Sequence, residues 1–281
     1  MKRAPPLFFY LPAGVVFSVF FWLPLAGLLL ESFRPFTPGR VGAVTDAPLT
    51  LANYEELLTP SFLEFFTQTL RISLFASLVG LIFSFTLAYW ITRRMSPRGR
   101  AIAIGFFVSL MFLSVLVRTY ALELTFGAAG PFRAMLLSVG IYPNSRGYIE
   151  ILVAAGLLHY IVPLATLTLL TTIQNVDPRL FDAAQTLGAP GWRAHLSITL
   201  PLSRDGLLAA FLFSFAFSIS AFVIPMILGK GRVLFVSNLI YNRFSEIADF
   251  PSGAAISVVL FAVSITIVYV TTRYVNRREA V

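Results

Sequence analysis

Six apolar runs divide this chain: Leu7–Leu30, Leu70–Ile91, Ala101–Leu122, Ile149–Ile173, Leu207–Leu228 and Ala254–Val270. A helix needs about 20 mostly apolar residues to cross the hydrocarbon of a bilayer, and each run comes near that length. The third is interrupted by one charge, Arg118, near its end. Pro12, Pro24, Pro163 and Pro225 fall within or near the runs, as membrane helices allow when neighbours satisfy the freed carbonyls. The pattern predicts an all-α integral membrane protein of six transmembrane helices. These form one transmembrane domain over residues 1–281, with no soluble domain and no repeat. Met1-Lys2-Arg3 before the first run has the look of a signal peptide. The run is too long for that and has no small-residue cleavage pattern, so an uncleaved first span is expected.

Polar intervals between the runs differ in character. Residues 37–66 read as a connection whose 49–58 stretch forms a short surface helix with Asn53 as its N-cap. Residues 118–148 carry Gly127, Gly130, Pro131, Gly140 and Pro143, too broken for a span, and are expected to be re-entrant or interfacial. Residues 177–205 are the most organised. Asp177-Pro178 is a helix start, with Asp at the N-cap and Pro at the first helical position. Leu180, Ala184 and Leu187 follow on one stripe, and Gly188-Ala189-Pro190-Gly191 ends the helix. A second short segment, Trp192–Leu196, leads to Ile198-Thr199-Leu200-Pro201 before the fifth run. An amphipathic loop resting on the membrane interface and a docking surface for a partner both fit this shape.

Composition extends the membrane reading to the whole chain. Hydrophobic residues make up 57% of 281 and charged residues 12%, about half the charge of a soluble domain. The net charge of +8 does not describe a nucleic-acid surface, because the basic residues are scattered at the ends of apolar runs. They set orientation instead. If both termini share one side, that side receives Lys2, Arg3, Arg93, Arg94, Arg98, Arg100, Arg179, Arg193, Arg204, Arg273, Arg277 and Arg278. Only Asp177, Asp182, Asp205 and Glu279 accompany them. The other side holds nine acids, among them Asp46, Glu55, Glu56, Glu64, Glu246 and Asp249, against nine basic residues. The positive-inside rule therefore predicts cytoplasmic termini and a cytoplasmic 177–205 segment. The absence of cysteine excludes disulfides, thiolate metal sites and cysteine nucleophiles.

One motif gives the polar segment a family likeness. Asp182-Ala183-Ala184, then Gly188, then Ile198-x-Leu200-Pro201 resembles the "EAA" loop of binding-protein-dependent ABC importer permeases. That pattern is Glu-Ala-Ala, three residues, Gly, nine residues, Ile-x-Leu-Pro. The spacing matches throughout, and Asp for Glu is the one departure. "VRTYA" (Val117–Ala121), "LSVGIYPN" (Leu137–Asn144), "LTLANYEELL" (Leu49–Leu58) and Ser220–Phe244 are similar to the first permease subunit of spermidine/putrescine-type importers. The likeness thins at Pro131-Phe132-Arg133, where polyamine permeases usually show a Leu-x-Asn type of sequence.

The resemblance implies a type I ABC importer permease fold in a bacterial inner membrane. It implies a second permease subunit (a related, different chain), a cytoplasmic ATPase dimer and an extracytoplasmic solute-binding protein. Asp182, Ala183, Ala184, Gly188, Ile198, Leu200 and Pro201 would carry a coupling helix into the ATPase. No cofactor is expected on this chain, ATP and Mg²⁺ belonging to the ATPase subunits. No phosphate-binding G-x-x-x-x-G-K-[ST] occurs, since Gly229-Lys230 is followed by Gly231. The implied solute is a polyamine, with other small organic solutes or ferric iron as alternatives.

The translocation path is less marked. Ala210, Ser214, Ser218 and Ala221 form a small, hydroxylated stripe that suits either a watery path or helix packing. Glu123 is a carboxylate at membrane depth, a functional candidate by default. With Tyr120 near, it could receive an ammonium group, or it could pair with Arg118 or Arg133. His159 is a lone histidine without a metal-ligand partner at the right spacing, fitting either packing or the path. A secondary transporter would show acid or His relays and matching halves. A membrane enzyme would show clustered acids, His or a nucleophile. Neither pattern is present.

Overall fold

The computed structural model describes residues 11–39 and 48–277, and among these every regular element is helical. Residues 7–10 of the first apolar run, Lys2, Arg3, Asp46, Arg278 and Glu279 lie outside the described residues. In chain order the helices are α1 (Leu11–Ser32), α2 (Ala52–Glu56), α3 (Pro60–Arg93), α4 (Pro97–Phe112) and α5 (Val115–Phe126). There follow α6 (Arg133–Ser138), α7 (Arg146–Asn175), α8 (Pro178–Thr186), α9 (Gly191–Leu202) and α10 (Arg204–Ser220). The last are α11 (Val223–Leu228), α12 (Val236–Tyr241) and α13 (Phe250–Arg277).

Four helices, α1, α3, α7 and α13, are long and apolar enough to cross a membrane, and up to six spans result if two bent pairs each count as one. One bent pair lies inside an apolar run, which the sequence pattern does not show as broken. The third run turns by 93° between α4 and α5, where Leu113 and Ser114 have extended backbone (ψ 132 for both). No Pro or Gly marks that place. The turn brings Arg118 and Glu123, both on α5, to partners described below. In the fifth run helix is interrupted at Ala221–Phe222, separating α10 from α11. The carbonyls freed there are taken up: Ser237 Oγ donates to Ala221 O (2.6 Å) and Asn238 Nδ2 to Phe222 O (3.0 Å). Inside a bilayer such a break persists only where other donors replace the lost helical ones. A second bend of 76° separates α9 from α10.

The chain divides into two compact units. The first comprises the described residues of Met1–Glu64 with Leu239–Val263. Here Asn53 is buried and is no N-cap: its amide donates to Ser32 O (2.8 Å) and Arg34 O (2.9 Å). A side chain that satisfies two carbonyls at the end of α1 does more than one capping its own exposed helix. Asp249 caps α13 by accepting from Ser252 N (3.0 Å) and meets Arg243 at 3.4 Å. Arg243 also pairs with Glu56 at 2.6 Å.

The second unit, Phe65–Asn238 with the described residues of Ser264–Val281, is organised around α7. Val153, Leu157, Ile161, Ala165, Leu169 and Ile173 recur every fourth residue and are fully buried. Helix association in lipid depends on close packing more than on water exclusion, and small residues provide it. A Cβ at Gly80 would come within 2.6 Å of Ile161 Cγ2, and one at Gly206 within 2.1 Å of Thr172 Oγ1. Polar capping closes one end. Arg93, at the end of α3, donates to Ile173 O (2.8 Å) in the last turn of α7 and to Val176 O just beyond it, where the helix dipole favours a cation.

Candidate functional site

The segment from Asp177 to Pro201 is built as its sequence predicts, with one addition. Asp177 accepts from Arg179 N (2.9 Å) and Pro178 opens α8. The helix ends in a complete Schellman motif: Ala189 N donates to Ala184 O (3.0 Å) and Gly188 N to Gln185 O (2.9 Å). Gly188 has φ +86, the left-handed conformation that the motif demands. No residue of α8 is buried. Asp182 and Ala183 are exposed, Ala184 is half-buried, and Leu187 beyond the end is 88% exposed. An apolar tip this bare stands out on a helix whose inner face is already anchored.

The anchor is the part that sequence reasoning missed. Phe181 lies 4.6 Å from the His195 ring, and Tyr89 on α3 meets that ring edge-on at 4.5 Å. A cavity of ≈ 380 Å³ beside them is lined by residues including Arg93, Arg94, Asp182 and Gln185. The signal was present in Phe181, one residue before Asp182, but its partners are 92 positions upstream and 14 downstream. Ile198 is half-buried, Leu200 is exposed, and Pro201 lines an apolar cleft of ≈ 540 Å³ with Leu78, Leu207 and Phe211.

The five path candidates do not form one cluster. Tyr120 is exposed, on a different face of α5 from buried Arg118. Glu123 pairs with neither Arg118 nor Arg133 here: Lys230 Nζ is 2.7 Å from its Oε1. Arg118 instead stacks over the Tyr160 ring at 4.9 Å, and none of its three guanidinium nitrogens has a hydrogen-bond partner among the described residues. Tyr160 in turn stacks on Phe217 at 3.8 Å, nearly parallel, so cation and ring occupy opposite faces. His159, beside Tyr160, is exposed at its α7 position and borders the Arg118 niche. Ser214 and Ser218 are fully buried, within a helix packed along α7. That favours the packing use of the small stripe over the watery one. No group of three His, Cys, Asp or Glu able to hold a metal exists among the described residues.

Long apolar helices, helix breaks satisfied by side chains and one bare, anchored polar helix are the features of an integral membrane protein. The chain belongs to the family described as binding-protein-dependent transport system inner membrane component, which matches residues 80–281. It is 28% identical over 236 residues to the spermidine/putrescine transport system permease protein PotB of Haemophilus influenzae, covering 82% of each chain. The molybdenum transport system permease protein ModB of the same organism is 29% identical over 180 residues, 61% of this chain and 72% of that one. Among solved structures, a bacterial alginate ABC transporter in complex with alginate pentasaccharide-bound periplasmic protein shares the fold. Its TM-score is 0.74 at 19% identity, covering 96% of this chain and 93% of that one. The protein is therefore an ABC importer permease component, and its family is one of transport subunits, not enzymes.

Proposed function

We propose that this chain is one of two permease subunits forming the path of a bacterial inner-membrane importer for a polyamine such as spermidine or putrescine. In this reading α8 is the coupling helix, docked by Asp182, Ala183, Ala184 and Gly188 into a cytoplasmic ATPase subunit. A solute-binding protein delivers from the opposite side, both termini are cytoplasmic, and ATP with Mg²⁺ sits on the ATPases, leaving this chain without a cofactor. The single observation carrying the proposal is the exposed helix α8, capped at both ends and anchored through Phe181. A helix that transmits force needs a fixed base and a bare outer surface, and α8 has both.

The polyamine assignment is supported by the likeness to PotB over 82% of the chain. The likeness to ModB supports a runner-up, the same role for another small solute. Affinity purification of the tagged chain from its native membrane tests the role. It should bring down an ATPase and a second permease, and the reconstituted complex should take up spermidine only with ATP and binding protein. A chain that purifies alone and transports without ATP would overturn it.

A further inference from the structure

The Glu123–Lys230 pair is built with more care than a surface ion pair requires. Glu123 is one turn from the end of α5 and Lys230 follows α11, with side chains 22% and 26% exposed. Lys230 has φ +50 and Gly231 φ +70, so two successive residues are left-handed, and for lysine that conformation is uncommon. The turn holding them is fixed from three directions. Gly229 N donates to Pro225 O (2.9 Å), Val233 N to Gly229 O (3.1 Å), and the Arg232 guanidinium to Asn144 O. On the other side, Gly127 leaves room for the carboxylate, since a Cβ there would lie 2.3 Å from Glu123 Oε1.

Lys230 satisfies one oxygen only. Glu123 Oε2 is buried and has no hydrogen-bond partner among the described residues. An unmatched charged acceptor at this depth is costly, so a second donor is called for. A primary alkylammonium offers three N–H donors, and Lys230 is itself a tethered alkylammonium. The group that fits the half-satisfied carboxylate is thus of the same chemistry as the one already on it.

We propose that Lys230 is a built-in stand-in for the transported cation. It neutralises Glu123 when the path is empty and yields the carboxylate to a primary ammonium of the solute. This rests on the polyamine reading above. The exchange moves one cation off the carboxylate as another arrives, so Glu123 itself is not left bare.

The test is spermidine binding to the detergent-purified complex without binding protein, read as a thermal shift against spermidine concentration. Lys230→Gln removes the competitor and should lower the half-saturating concentration several-fold. Glu123→Gln removes the acceptor and should raise it about tenfold or more, the scale of a charge-assisted hydrogen bond. Shifts in the same direction mean that the pair is a structural brace and overturn the proposal. If Lys230→Gln does not assemble, Lys230→Arg decides. Its fork can occupy both oxygens and should weaken binding several-fold, whereas unchanged binding would sink the idea. Spermidine uptake by the wild-type complex in proteoliposomes separates the two readings. Without it the polyamine assignment falls and this inference with it. With it, same-direction shifts remove this inference alone.

Discussion

Gly188 has open space where a Cβ would go, yet its φ of +86 makes it hard to replace. Left-handed backbone costs an L-residue about 1–2 kcal/mol, and a β-branched side chain suffers most. A nine-residue helix is marginal by itself, so loss of its C-terminal motif should fray the face carrying Asp182 and Ala183. Gly188→Val is expected to leave the chain inserted while uptake falls at least tenfold. Gly188→Asn, which tolerates this conformation, should retain most of it. Proteoliposome uptake of the two variants checks this, and equal uptake would show that the cap geometry is irrelevant. Asp177 and Gly188 were legible at this scale because a cap acts on neighbours two to five residues away. Asn53 and Glu123 were not, because their partners, Ser32 and Lys230, are 21 and 107 positions distant.

Among elements, the interruption between α10 and α11 shows how a broken helix is kept in an apolar setting. Asn238 accepts from Phe235 N (3.0 Å) and donates to Phe222 O (3.0 Å), so one buried amide serves two backbone groups. Asn238→Leu keeps the size and removes both bonds. Leaving a buried carbonyl unmatched costs about 1–3 kcal/mol, so a fall of several degrees in the detergent melting midpoint is expected. A midpoint within one degree of wild type, by differential scanning fluorimetry, would mean that the break needs no such cap. Hydropathy reads Leu207–Leu228 as continuous because Ala221 and Phe222 are as apolar as their neighbours. The break depends on Ser237 and Asn238, sixteen residues on. The 93° turn at Leu113–Ser114 is likewise marked by no Pro or Gly.

For the whole molecule, the proposed orientation rests on basic residues that also have structural work. Arg93 caps α7 and Arg100 donates to Thr92 O (2.5 Å), while Arg98 is exposed. Because the chain has no cysteine, single substitutions report sidedness directly. A membrane-impermeant maleimide applied to spheroplasts should label Tyr142→Cys, whose native side chain is 67% exposed, and should reach Arg98→Cys only after permeabilisation. The reverse pattern would invert the topology.

By itself the sequence determined the membrane class, the helical composition, the boundaries of α8 and the family likeness, since hydropathy, caps and a twenty-residue motif are all local. Tertiary structure alone decided where apolar runs break, which cation meets Glu123 and what anchors Phe181. In lipid an apolar residue is at home on any face of a helix, so hydrophobic periodicity no longer says which faces meet. Close approach at glycines and the need of each buried polar atom for a partner settle that, and both are properties of residues far apart in the chain.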